Sequence, residues 1–187
     1  MRKPIVLVTV LLFLAVAGVR AQKLESQPGY LSIQDLGLFP PDKLSVEINL
    51  TGPLLRMVAE ATKHDDPDFS AVMASLKSIQ VQVFPLKGVD KDAIKARIGR
   101  AVHWLEDHGW ESTLKVRDQG EETHIYLKQA GGKVEGLTLL SFDPKDEAVV
   151  INIVGRIDPA QIGRIGQSLN LPQLKKVPTP GSARKPE

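Results

Sequence analysis

Residues 111–154 read ESTLKVRDQGEETHIYLKQAGGKVEGLTLLSFDPKDEAVVINIV, and their periodicity decides the fold. Apolar residues alternate with polar ones at Leu114 and Val116, at Ile125 and Leu127, at Leu137 and Leu139, and at Val149, Ile151 and Ile153. Period-two alternation puts one set of side chains on one face of an extended chain, so the stretch predicts four successive strands. The connections Asp118-Gln119-Gly120-Glu121, Gln129-Ala130-Gly131-Gly132 and Asp143-Pro144-Lys145-Asp146 are long enough only for hairpins. The four strands should therefore form an antiparallel meander. The last strand, Val149 to Val154, is apolar nearly throughout, as in a strand that is interior or covered on both faces.

Upstream of the meander the pattern switches between two periods. Leu44, Val46, Ile48 and Leu50 alternate with polar residues and predict a first strand. Gly52-Pro53 then opens a helix with Leu54, Val58 and Ala61 at helical spacing, because proline at the first helical position loses no needed donor. Asp66-Pro67 starts a second helix, carrying Phe69, Val72, Met73 and Leu76 on one face. Ile79, Val81 and Val83 mark a second strand that Pro85 and Gly88 end. Asp90 caps the longest helix, with Ile94, Ile98, Ala101 and Leu105 as its apolar stripe, Trp104 beside it and Gly109 as a left-handed terminus. Beyond the meander, Asp158-Pro159 repeats the cap-and-proline start, followed by Ile162, Ile165 and Leu169.

These elements predict an α+β, two-layer fold: a mixed, mostly antiparallel sheet of about six strands with helices mainly on one face. The chain divides into an N-terminal signal segment (1–21), a leader packing on the domain (22–43), one α+β domain (44–170) and a disordered tail rich in proline and lysine (171–187). With 187 residues and no cysteine, the domain must rely on its hydrophobic core. Disulfides, zinc-cysteine sites and cysteine nucleophiles are excluded.

Arg2 and Lys3 precede an apolar run from Ile5 to Val19, and Val19-Arg20-Ala21 suits a cleavage site. This is the pattern of a secretory signal peptide, cut between Ala21 and Gln22. The run is shorter than the roughly 20 apolar residues of a permanent membrane helix, so no stable span is expected after cleavage. Removal of 1–21 leaves 21 Lys+Arg against 22 Asp+Glu, a net charge of −1. A nucleic-acid partner is disfavoured by that sign, and a periplasmic or secreted location is expected.

Three segments carry a resemblance: Pro28-Gly29-Tyr30, the run Val46-Glu47-Ile48-Asn49-Leu50-Thr51-Gly52-Pro53-Leu54-Leu55, and Ile151-Asn152-Ile153-Val154-Gly155-Arg156-Ile157-Asp158-Pro159. Together they resemble the bacterial domain-of-unknown-function 4252 family, over about residues 28 to 169. The resemblance implies an exported bacterial protein of unassigned activity. It also implies a setting near extracytoplasmic-function sigma factors and their anti-sigma factors, and hence envelope signalling. It carries no catalytic residues with it.

The chemistry-bearing residues form weak patterns. His103, Glu106, Asp107 and His108 cluster near the end of the long helix. His103 and His108 are five apart, about 140° around a helix, whereas His103 and Asp107 have the spacing a shared metal favours. The His64-Asp65-Asp66-Pro67-Asp68 stretch lacks the glycine turn and distal glutamate of a calcium loop. Glu122, His124, Tyr126 and Lys128 share one strand face, expected to be the wet side of the sheet or else a ligand-binding surface. No Gly-x-Ser-x-Gly or phosphate-binding glycine loop occurs. Tyr30, Leu36 and Phe39 in the leader either cover the core or offer a docking site. The leading expectation is a non-catalytic interaction or sensing domain with an envelope protein partner and no cofactor. The alternative is a metal-assisted periplasmic hydrolase using some of His64, His103, His108 and His124.

Overall fold

A strand that is apolar on both sides needs cover on both sides, and that requirement shapes the whole molecule. The computed structural model describes residues 23–158. After 3₁₀ turns at Leu24–Ser26 and Pro41–Lys43, the elements are β1 (Val46–Thr51), α1 (Gly52–Thr62), α2 (Pro67–Ser75), β2 (Leu76–Pro85) and α3 (Lys91–Asp107). The meander follows as β3 (Glu111–Asp118), β4 (Glu121–Ala130), β5 (Lys133–Phe142) and β6 (Glu147–Gly155). The six strands form one sheet in the order β1-β2-β6-β5-β4-β3. β6 is interior, between β2 and β5.

Local chemistry sets the helix ends. Asp66 Oδ1 accepts the Phe69 N–H at 2.9 Å and Asp90 Oδ1 accepts the Ala93 N–H at 3.1 Å, each satisfying a free first-turn donor. At the end of α3, Gly109 turns left-handed with φ 70°. The Trp110 N–H then reaches Leu105 O at 3.0 Å and the Gly109 N–H reaches Glu106 O at 3.1 Å. Trp110 and Leu105 are both buried, so the hydrophobic contact of a Schellman end accompanies the hydrogen bonds.

The α+β class and the six-stranded sheet agree with the sequence pattern, and three details differ. Every pairing is antiparallel, so the sheet is not mixed. The helices occupy both faces, which makes three layers rather than two. Leu55, Ala59, Phe69, Val72 and Met73 of α1 and α2 share one core with Ile125, Leu139, Ile151 and Ile153. Ile94, Ile98, Ala101, Val102 and Leu105 of α3 share the other with Tyr126, Leu140, Phe142 and Val150. The reason is topological: α3 links β2, the second strand across, to β3 at the far edge, and crosses the face that α1 and α2 leave open. Finally, Leu76 opens β2 instead of closing α2, and its side chain joins the first core. The helix expected after Asp158-Pro159, the signal segment 1–21 and the tail 171–187 lie outside the described residues.

The leader completes the α3 layer. Leu31, Ile33, Leu38 and Phe39 are buried in the second core, where Phe39 stacks on Phe84 with ring centroids 5.2 Å apart. Asn152 of β6, with no solvent exposure, anchors this segment. Its Oδ1 accepts the Leu31 N–H at 3.2 Å, while its Nδ2 donates to Gly29 O at 3.1 Å and to Thr138 Oγ1 at 3.1 Å. Gly29 lies directly on Gly136 of β5: a Cβ on Gly136 would sit 2.4 Å from the Gly29 Cα. Backbone meets backbone there, and no side chain fits between.

Two substitutions test this anchor in urea unfolding. Gly136→Ala forces a shift of one backbone and is expected to cost about 2 to 3 kcal/mol, the upper range for overpacking. Asn152→Leu keeps the branching and the number of side-chain heavy atoms but leaves a buried N–H and a buried C=O without partners, at about 1 to 3 kcal/mol for each group. In both variants the leader should become the first site of limited proteolysis.

Candidate functional site

Where the leader passes α3, the two do not close completely. A cleft of about 250 Å³ remains, with Tyr30, Ser32, Asp35 and Leu36 on the leader side and Arg100 and Trp104 on the helix side. The leader wall is held by its own turn. The Gly37 N–H donates to Gln34 O at 3.0 Å, and the Asp35 N–H to Ser32 Oγ at 3.3 Å. Arg100 and Trp104 of α3 are one helical turn apart on one face, and His108, the residue that ends the helix, follows at the same spacing. Trp104 is 37% exposed. The His108 ring stacks on its indole at 3.8 Å, and the His108 Nδ1–H donates to Trp104 O at 2.7 Å. Asp35 and Arg100 form no ion pair with each other within 4.0 Å, so the cleft presents a carboxylate and a guanidinium as separate groups.

The residues singled out by sequence separate into three groups. Tyr30 and Leu36 line the cleft and are half-buried. Phe39, His124 and Tyr126 are buried under the leader and α3, so they present no exterior surface. The face carrying His124 and Tyr126 is thus not the wet side of the sheet. It is polar in sequence and dry in the fold, because α3 and the leader cover it. His64, His103, Asp107 and His108 are all exposed, with His64 in the turn after α1 and the others at the end of α3. Among the described residues, no three His, Asp or Glu side chains converge as a metal would require. Ala21 and Gln22 lie outside the described residues. Asp35, Arg100 and Ser32 are cleft residues that spacing alone does not flag. The one available signal is that Arg100 precedes Trp104 by a single helical turn.

Beneath α3 lies a network of titrating groups that the cleft does not use. Glu122 meets Lys95 Nζ at 2.8 Å, Arg117 Nε at 3.7 Å and His124 Nε2 at 3.5 Å. The Lys95 hydrogen bond, more than any other cause, holds the Glu122 carboxyl below its ordinary range. His124 is 3% exposed and its Nδ1 has no partner, and burial pushes its pKa down against the pull of Glu122. The Tyr126 hydroxyl donates to Glu106 Oε1 at 2.8 Å, and burial, reinforced by that carboxylate, raises its pKa to about 12. These side chains tie β4 to α3. None of them lines the cleft.

A six-stranded antiparallel sheet with helices on both faces and a leader tied to its central strand defines a three-layer α+β domain. Residues 42–165 match the model of a domain of unknown function, DUF4252, and the chain belongs to that family. No curated protein and no solved structure matches it.

The network gives stability a defined pH dependence. Below pH 6.5 an unfolded histidine takes up a proton that folded His124 resists, so its contribution is fully present above that pH and is lost as the pH falls. Glu122 adds a second loss as the pH drops below 4.5. Glu147 has a raised pKa, chiefly from burial, and acts in the opposite sense above pH 4.5, adding stability as the pH falls towards that value, so the comparison with a His124 variant is what isolates the histidine. Urea unfolding at about pH 7.5 and about pH 5.5 should therefore show a drop that is clearly smaller in His124→Gln.

Proposed function

We propose that this is an exported bacterial protein, a non-catalytic interaction or sensing domain of the cell envelope, with the cleft between leader and α3 as its binding site. Export is supported by the basic start, the apolar run and the Ala21-Gln22 junction. A link to extracytoplasmic sigma-factor signalling is the finer form of the same proposal.

The observation that carries the binding reading is the composition of the cleft. Tryptophan, tyrosine and arginine are the side chains that most often dominate binding energy, and Trp104, Tyr30 and Arg100 meet here at a partly open surface. The modest volume of the cleft supports a small anchor over a whole ligand. About 250 Å³ is below the roughly 300 to 1,000 Å³ of typical small-molecule sites, yet ample for one or two inserted side chains. The occupant is therefore an apolar or aromatic anchor of a protein partner, with charged neighbours placed to meet Arg100 and Asp35.

Photo-crosslinkers at Ser32 and Leu36, with one at exposed Lys87 as control, test this in intact cells. The expected result is one envelope protein captured from both cleft positions and not from Lys87. With the purified pair, Trp104→Ala should weaken binding by about 30-fold or more, since truncating an aromatic hot spot costs about 2 kcal/mol. Its own stability should move by less than about 1 kcal/mol, because the ring is partly exposed. Equal capture from all three positions, or none, rejects the cleft. The mass of the N-terminal peptide tests export separately, and a start at Gln22 is expected.

A further inference from the structure

The two edges of the sheet differ in how they meet solvent. β3 carries a register shift between Ser112 and Leu114 and sets Lys115, Arg117 and Asp118 in succession along its length. Kinks and charges of this kind prevent an edge from pairing with another chain. β1 has neither device. It runs in unbroken register against β2, contains Glu47 as its one charged residue, and includes no proline. Apart from Leu50, all its residues are exposed. Among the described residues, no strand and no backbone hydrogen bond covers its outer side. Val46 and Ile48, each 39% exposed, point to the face that carries α1, and α1 itself exposes Leu54 and Met57.

We propose that β1 is a pairing edge and that its occupant is β1 of a second copy of this chain, joined antiparallel so that the two sheets become continuous. The argument for that occupant is self-complementarity. A two-fold contact requires one segment to match itself in reverse. Centred on Ile48, the pairing sets Ile48 against Ile48 of the second copy and Val46 against Leu50, which gathers every apolar side chain of the strand on one face. On the other face Glu47 lies against Asn49, a carboxylate opposite an amide that can donate to it. No like charges oppose one another. Centring on Asn49 instead leaves Val46 unmatched, so the Ile48 register is the favoured one.

The absence of cysteine makes the test clean. In the full chain, Ile48→Cys should form a disulfide between copies under mild oxidation, because directly paired strand residues lie within disulfide reach. Val116→Cys, on β3, should not. Sedimentation should show a concentration-dependent dimer in the unsubstituted chain. Ile48→Lys places two ammonium groups face to face and should weaken that dimer by about tenfold or more. Mixing Ile48→Lys with Ile48→Glu should restore association, and unchanged far-UV dichroism would establish that each variant is folded. A monomer at every soluble concentration overturns the proposal. So does a dimer that neither crosslinks through Ile48→Cys nor responds to the charge pair.

Discussion

The amide of Asn152 is the contact on which the rest of the structure depends. It sits at the centre of the sheet, on a strand whose neighbours in sequence are almost all aliphatic, and it uses both ends of its side chain on the leader. A polar group placed so deep is costly without partners, and the leader backbone at Gly29 and Leu31 supplies them. The bond therefore works in both directions. The leader satisfies the core, and the core fixes the leader's height and path above the sheet. The Gly29 and Gly136 contact then sets how closely the two can approach. The leader wall of the cleft is a continuation of that same anchored segment, so the site inherits its geometry from one buried side chain.

The second constraint is the double-sided apolar strand. β6 is buried along nearly its whole length, which means that neither α1 with α2 nor α3 with the leader suffices alone. The outer strands then differ according to what they face. β4 meets α3 through Glu122, His124 and Tyr126, and these polar groups form a network with directional bonds that runs from the buried His124 and Tyr126 out to the exposed Lys95 and Glu106. Such a network positions a helix more specifically than aliphatic contact does, since each bond has an angle as well as a distance. Arg100 and Trp104 take their place on the cleft from the way α3 is seated.

Local periodicity makes most of the fold legible in the sequence. Alternation marks all six strands, Asp66 and Asp90 announce their helices, and Gly109 ends α3 by a mechanism that needs nothing distant. What periodicity does not reveal is which face is covered. His124, Tyr126, Thr138 and Asn152 make one face of these strands look solvated, and their cover comes from α3, which folds back over β4, and from a leader whose bond to Asn152 spans 121 positions. Gly29 and Asn152 both lie in the segments that carry the family resemblance, and they meet in the structure through the Asn152 Nδ2 bond to Gly29 O. The cleft is less legible still. Tyr30 and Leu36 stand out as apolar residues in an aperiodic stretch, but Asp35 and Arg100 are ordinary surface charges until the leader and helix are brought together.

The hydrogen bond from Leu31 to Asn152 spans 121 positions of the chain, and it has a consequence in time. A growing polypeptide emerges N-terminus first, so the leader waits for the final strand before its place exists. Until then β2 also lacks the interior neighbour that completes the sheet. Contacts of such separation form late and slowly, because a long loop must close before any of them is rewarded. The buried place of the leader is accordingly among the last parts of the fold to form.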